Sequence, residues 1–154
     1  MTKICTAAIT DLDSLVEMEN LLFVGDRISR RQFRYLLTKA NGIVLKAEEE
    51  GRVVGYMILL KRKNSTILRV YSIGVTPSYR KRGIAGAMIS YAENCGRDHG
   101  YTQLSLEVCE KNESAVQLYK NAGFCPVSIK KKYYEDGCDA LHMVKTLLVE
   151  GTAA

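Results

Sequence analysis

The chain has no Cys-x-x-Cys pair and only two histidines, His99 and His142. It therefore lacks the spaced Cys/His sets that hold zinc. Its five cysteines, Cys5, Cys95, Cys109, Cys125 and Cys138, are scattered along the chain. That spread argues against a secreted disulfide framework and leaves reduced cytosolic thiols as the simplest account. No apolar run approaches the length of a membrane span. The first residues do not read as a signal peptide, because Lys3 opens a short mixed segment that Asp11 interrupts. Neither the Gly-Lys-Ser/Thr of a P-loop nor the Gly-x-Gly-x-x-Gly of a dinucleotide fold is present. There is no internal repeat, low-complexity tract or linker.

What is there suits an ordinary globule. Hydrophobic residues make up 47% and charged residues 25% of 154 positions, enough for one domain with a real core. The domain is read as 1–148, with 149–154 as a frayed tail. The net charge of +5 suits an anionic cofactor and does not by itself imply nucleic acid.

The chain is organised around one stretch. A β-branched run ends at Val75, a turn follows with Pro77, Arg80, Lys81 and Arg82, and Gly83-Ile84-Ala85-Gly86 opens an amphipathic helix. The first backbone N–H groups of a helix have no internal partner, and the helix dipole adds positive charge there. Small residues let a ligand approach that backbone. Arg80 and Arg82 add donors matched to phosphate. The stretch reads as an anion site for phosphate or pyrophosphate; the plainer reading is a basic turn that caps a helix.

Around it, 3–9 reads as a strand, and Thr10 with Asp13 has capping-box spacing before a helix whose apolar face is Leu12, Leu15, Val16 and Leu22. Gly25 breaks that helix. Ser29 with Gln32 repeats the capping box, Phe33, Leu36, Leu37 and Ala40 follow at helical spacing, and Gly42 sits where a C-cap belongs. Arg27, Arg30, Arg31 and Arg34 form either a solvated face or a wall guiding an acidic substrate. Strands follow over 43–47, 53–60 and 66–75, the middle one apolar enough to be buried on both faces. In the next helix Ile84, Met88, Tyr91, Ala92 and Cys95 share a face, and His99 caps its end. Residues 102–108 alternate, with Leu104, Leu106 and Val108 opposite Gln103, Ser105 and Glu107. Asn112 is placed as an N-cap of a helix that turns Ala115, Leu118 and Ala122 inward and ends at Gly123. A strand pair, 124–129 and 140–147, closes the chain. The expectation is an α/β (α+β mixed) fold: a mixed, mostly antiparallel sheet of six to seven strands flanked by about four helices.

Two motifs carry a family resemblance. Arg80-x-x-Gly83-x-Ala85 after a strand ending Val75-x-Pro77 resembles the acetyl-CoA loop of the GNAT acetyltransferases. Leu106-Glu107-Val108 followed by Asn112-x-x-Ala115-x-x-Leu118-Tyr119-x-x-x-Gly123-Phe124 resembles the second half of that family, and most closely its RimI-type ribosomal-protein-alanine N-acetyltransferases. With Tyr133-Tyr134, the resemblance covers roughly residues 53–147. It implies transfer of an acetyl group from acetyl-CoA, with no metal, to the amine of a protein or peptide in the cytoplasm.

The resemblance also implies roles. The main chain of Ile73, Gly74 and Val75 would pair with the pantetheine arm. Arg80, Lys81, Arg82, Gly83, Ile84, Ala85 and Gly86 would hold the pyrophosphate. Asn112 and Tyr119 would also contact the coenzyme. Glu107 would be the general base, directly or through a water, and Tyr119 the general acid. An α-amine with pKa near ~7.7–8.0 is easier for a carboxylate to deprotonate than a lysine near ~10.4, which favours a chain terminus as acceptor. Tyr133 and Tyr134, after Lys130-Lys131-Lys132, would line the acceptor groove. Those lysines could instead touch RNA, but no nucleic-acid motif accompanies them.

Plainer readings stand beside each role: a solvent-facing strand residue for Glu107, a half-buried aromatic for Tyr119, a cap for Asn112. The chain also departs from its relatives. It has no tryptophan, and Phe23 to Ser29 stands where they carry a Phe-Pro-Trp-type stretch. Transfer to lysine or a small amine, and a non-catalytic acetyl-CoA-binding module, remain as alternatives.

Overall fold

The computed structural model describes residues 2–39 and 41–147; Ala40 and the 149–154 tail lie outside them. Their strands are β1 (Lys3–Thr6), β2 (Gly42–Glu49), β3 (Arg52–Leu60), β4 (Ile67–Val75), β5 (Gln103–Cys109), β6 (Cys125–Lys130) and β7 (Ala140–Thr146). The helices are α1 (Leu12–Leu22), α2 (Arg30–Thr38), α3 (Ile84–Asp98) and α4 (Glu113–Asn121). One seven-stranded sheet runs in the order β1-β2-β3-β4-β5-β7-β6. Every pair is antiparallel except β4 with β5. The expected mixed, mostly antiparallel sheet with four helices is what forms.

The strand period of two sorts the core. In β3, Tyr56 and Ile58 join one buried cluster, and Met57 and Leu59 join the other. The first cluster takes Leu12, Leu15 and Met18 of α1 with Phe33 and Leu36 of α2. The second takes Ile84, Met88, Ile89 and Ala92 of α3 with Tyr119 of α4. The sheet is thus covered by α1 and α2 on one face and by α3 and α4 on the other. The reading of β3 as buried on both faces holds.

Several local expectations are corrected. The first strand stops at Thr6, and a tight turn over Ile9–Asp11 intervenes before α1. That turn moves the cap: the Asp11 carboxylate accepts from Ala8 N (2.8 Å), so Thr10 and Asp13 do not form the capping box. The Ser29–Gln32 capping box does form, with both reciprocal bonds. α2 ends at Thr38 with Lys39 as its C-cap, and Gly42 starts β2 instead of capping the helix. On α3, Ile89 and Gly96 are buried while Tyr91 is exposed, because the stripe that faces the sheet is rotated from the one the sequence suggests. His99 does cap α3, its Nδ1 lying 2.8 Å from the Cys95 carbonyl.

The thiols are not all reduced. Cys109, the last residue of β5, is disulfide-bonded to Cys138 just before β7. The strand pairing brings them together: Cys109 sits opposite Ala140 in the β5–β7 ladder. Spacing along the chain held no sign of it. Cys5, Cys95 and Cys125 are free.

Candidate active site

β4 and β5 share only three paired positions, Ile67 with Gln103, Leu68 with Leu104 and Arg69 with Ser105. Beyond Arg69 both strands continue, to Val75 and Cys109, without pairing to each other. The sheet therefore opens along the second half of β4. A cleft of this kind leaves main-chain groups free for a ligand. A bulge reinforces the parting: Ser72 faces Ile58 and Val70 faces Leu59, so Tyr71 is the extra residue. The irregularity is at Tyr71, not at Gly74. Gly74 marks a close approach instead, since a Cβ there would lie 2.6 Å from Leu22 Cδ1 and 3.3 Å from the Tyr56 ring.

The anion loop stands at the open end of the cleft. A short turn over Pro77–Tyr79 leads to Lys81 (φ 62°) and Gly83 (φ 78°), the N-cap of α3. No side chain caps the helix start, so its first amides are left for a ligand. No atom lies within 4 Å of a Cβ built on Gly83 or Gly86, which leaves an open cradle. The cations divide the work. Arg80 Nε turns back to donate to the Val75 carbonyl (3.1 Å), and Arg82 lies over the Tyr79 ring. The loop's residues fit a pyrophosphate: unpaired amides, positive charge and room for close approach.

Glu107 lies on the other side of the sheet. Leu104, Leu106 and Val108 of β5 enter the core under α3 and α4, so Glu107 points to the α1–α2 face. It is not solvent-facing: only 4% of its side chain is exposed. Arg69 Nη2 is 2.7 Å from its Oε1, Lys130 Nζ is 3.8 Å from the same oxygen, and His142 Nδ1 is 3.0 Å from Oε2. Arg69 comes from β4, Lys130 from β6 and His142 from β7, directly opposite Glu107 in register. Arg69 Nε is buried without an acceptor among the described residues. Sequence reasoning missed Arg69 and His142 as members of this cluster. The signal was present in phase alone, since Arg69 interrupts the apolar run Leu68-Arg69-Val70 and His142 interrupts Leu141-His142-Met143.

Tyr119 is buried, more deeply than the plainer reading of a half-buried aromatic allowed, and packs edge-on to Phe124 with ring centroids 5.9 Å apart. Burial first, and the nearby Tyr134 second, push its phenol well above the ordinary range. It stays protonated at neutral pH and keeps a proton to give. Asn112 does act as an N-cap, its side chain accepting from Ala115 N at 3.2 Å.

Two loops wall this face of the sheet. In the β6–β7 connection the Tyr133 hydroxyl accepts from Arg69 Nη2 (2.7 Å), and its ring packs edge-on to Tyr134. Tyr134 is pushed up to about 12, by burial first and then by Tyr133, Glu107 and Asp26. The α1–α2 connection is tied down by the buried Glu19 of α1, which accepts from Ile28 N (2.8 Å) and from the Tyr56 hydroxyl. The loops clasp each other reciprocally. Asp26 N donates to Glu135 Oε2 (3.1 Å) and Glu135 N to Asp26 Oδ2 (2.9 Å). Arg30 at the start of α2 pairs with Asp13, and Arg27 in the connection donates to the Phe23 and Asn20 carbonyls. At least these two arginines brace the α1–α2 connection. Among the described residues no cluster of three His, Cys, Asp or Glu side chains could hold a metal, and no helix is long and apolar enough to cross a membrane.

Comparison with known proteins gives the following. The family model "Acetyltransferase (GNAT) family" matches residues 11–124. An N-alpha-acetyltransferase of Sulfurisphaera tokodaii is 30% identical, with 94% of this chain and 93% of that protein covered. The N-alpha-acetyltransferase RimI of Mycobacterium tuberculosis is 31% identical, with 86% and 85% covered. The crystal structure of the ribosomal-protein-S18-alanine N-acetyltransferase from Escherichia coli superposes with a TM-score of 0.86 at 23% identity, over all of both chains.

Proposed function

Because the chain belongs to the acetyltransferase (GNAT) family, and is on that ground an acetyl-CoA-dependent acetyltransferase, we propose that its acceptor is the N-terminal α-amine of a protein or peptide. The observation that carries this reading is the cleft between β4 and β5. It runs from a helix start suited to pyrophosphate, at the α3 end, to a carboxylate cluster on the opposite face. A thioester lying in it would meet an amine arriving between the α1–α2 and β6–β7 connections. The two relatives above, both named for α-amine acetylation, support the acceptor class. The RimI-like reading makes a ribosomal protein one such acceptor, met in the cytoplasm.

In this reading Ile73, Gly74 and Val75 offer main chain to the pantetheine arm, and the Arg80–Gly86 loop holds the pyrophosphate, with Asn112 at its rim. Glu107 anchors the basic centre toward which the incoming ammonium loses its proton. The phenol of Tyr119 reprotonates the departing thiolate. Tyr133 and Tyr134 form the wall against which the acceptor's first residues lie. Arg69 holds Glu107 and Tyr133 in place through Nη2.

The test is release of free CoA from acetyl-CoA with two peptide pools. One has free N-termini and no lysine, and the other has blocked N-termini and contains lysine. Release with the first pool alone supports the α-amine reading. Release with the second alone moves the acceptor to a lysine side chain.

A further inference from the structure

Glu107 is poorly placed to take a proton itself. Oε1 faces Arg69 and Lys130, Oε2 faces His142, and the side chain is almost wholly buried. We propose that His142, oriented by Glu107, is the group that receives the proton of the acceptor amine. This deepens the proposed function and rests on it.

The tautomer decides the matter. A carboxylate ion-paired with Arg69 can only accept hydrogen bonds. His142 Nδ1, 3.0 Å from Oε2, must therefore be the donor and carry a proton. In the neutral ring the lone pair then sits on Nε2. Nε2 makes no hydrogen bond to a described residue, and the side chain is 24% exposed. The result is a partly exposed imidazole with Nδ1 fixed by a buried carboxylate and Nε2 left without a hydrogen-bond partner among the described residues. Histidine is also the side chain that ordinarily exchanges protons near neutral pH. The groups that face the pair are Glu107 from β5, Arg69 from β4, Lys130 from β6 and Tyr134 from the β6–β7 connection.

The protons balance as follows. The acceptor ammonium gives one proton to His142 Nε2. The freed amine pair forms the C–N bond at the thioester carbonyl, the C–S bond breaks, and sulfur leaves with its electron pair. Sulfur takes the Tyr119 proton, the surplus proton on the new amide nitrogen restores Tyr119, and His142 releases its proton to water.

Two measurements test this. The first needs no turnover. With only His99 and His142 in the chain, nitrogen-15 spectra of the imidazoles resolve each ring. Neutral His142 is expected to carry its proton on Nδ1 in the native enzyme and to lose that bias in Glu107→Gln. A proton on Nε2 overturns the proposal. The second compares His142→Ala and His142→Gln. Both are expected to lose about 10²-fold in kcat/KM at pH 7, to bind acetyl-CoA as the native enzyme does, and to recover as pH rises. Added free imidazole should restore part of the alanine variant's rate. A glutamine variant with native turnover would show that His142 only steadies Glu107, which also overturns it. Native enzyme that acetylates no α-amine removes the proposed function instead, and the nitrogen spectra still judge the dyad.

Discussion

Arg69 Nη2 lies 2.7 Å from Glu107 Oε1 and 2.7 Å from the Tyr133 hydroxyl. One guanidinium nitrogen thus ties β5 to the β6–β7 connection, from a strand that stops pairing with β5 at that same residue. Glu107 on β5 and Tyr133 in the β6–β7 connection share one guanidinium, and a change at Glu107 reaches Tyr133 through it.

Replacing Glu107 by Gln is expected to lower turnover at pH 7 by about 10²-fold. The deficit should shrink as pH rises past the ordinary α-amine range near ~7.7–8.0, because the acceptor then arrives unprotonated. Native turnover across the whole range would remove Glu107 from proton transfer. Acetyl-CoA affinity, measured by calorimetry, should not change.

Gly83 tests the anion loop. Its φ of 78° and the open space around it make two demands, on backbone and on charge. Gly83→Asn tolerates the left-handed conformation and should bind acetyl-CoA within a few-fold of the native protein. Gly83→Asp has the same shape but sets a carboxylate against the pyrophosphate, and binding should be lost. Equal affinity in both variants would sink the anion-site argument.

Three buried or half-buried phenols, Tyr56, Tyr119 and Tyr134, are raised in the folded protein, burial being the largest cause in each. Their neutral forms are favoured by folding. The stability they contribute is complete below the ordinary phenol value near ~10 and is lost as pH climbs through the raised values. The chemical-denaturation midpoint should fall from about pH 10 upward. An absorbance titration at alkaline pH, followed through the nine tyrosines, should show these three ionising only as the protein unfolds. Nine phenols titrating together in a folded protein would contradict this.

The Cys109–Cys138 bond closes a separation of 29 residues that contains all of α4, β6 and the tyrosine loop. Reduction, or Cys138→Ser, is expected to cost about 2–4 kcal/mol, read as a lower melting temperature with dithiothreitol than without. The Asp139 carboxylate, hydrogen-bonded to Lys132 N (2.8 Å), still holds part of the loop. Acetyl-CoA binding should survive reduction. No change in melting would mean that the bond adds no stability.

How much could be read beforehand followed from the range of each interaction. The glycine loop, the Ser29–Gln32 box and the Asn112 cap are local, and their few-residue spacing is visible in sequence. The two-faced burial of β3 was equally visible as an uninterrupted apolar run. Arg69, Glu107, His142 and Lys130 belong to four different strands, and only the strand order gathers them. The same holds for Cys109 with Cys138 and for Asp26 with Glu135, which are 109 residues apart. The rotated face of α3 failed for another reason. Tyr91 is apolar by type yet lies off the buried stripe, and Gly96 is buried because a Cβ there would stand 2.8 Å from Leu147 Cδ1.

The last strand of the sheet order, β6, has all six residues exposed and only β7 beside it. Its outer rim is a row of peptide donors and acceptors, the kind of template on which another chain can lay itself down. Three features blunt it: Pro126 has no N–H to offer, the ladder slips between Pro126 and Ser128, and Lys130 begins a run of three positive charges. Val127 and Ile129, both well exposed, would otherwise favour stacking of copies. Pro126 and Lys130, on the strand farthest from β1, thus oppose edge-to-edge pairing of copies along that rim.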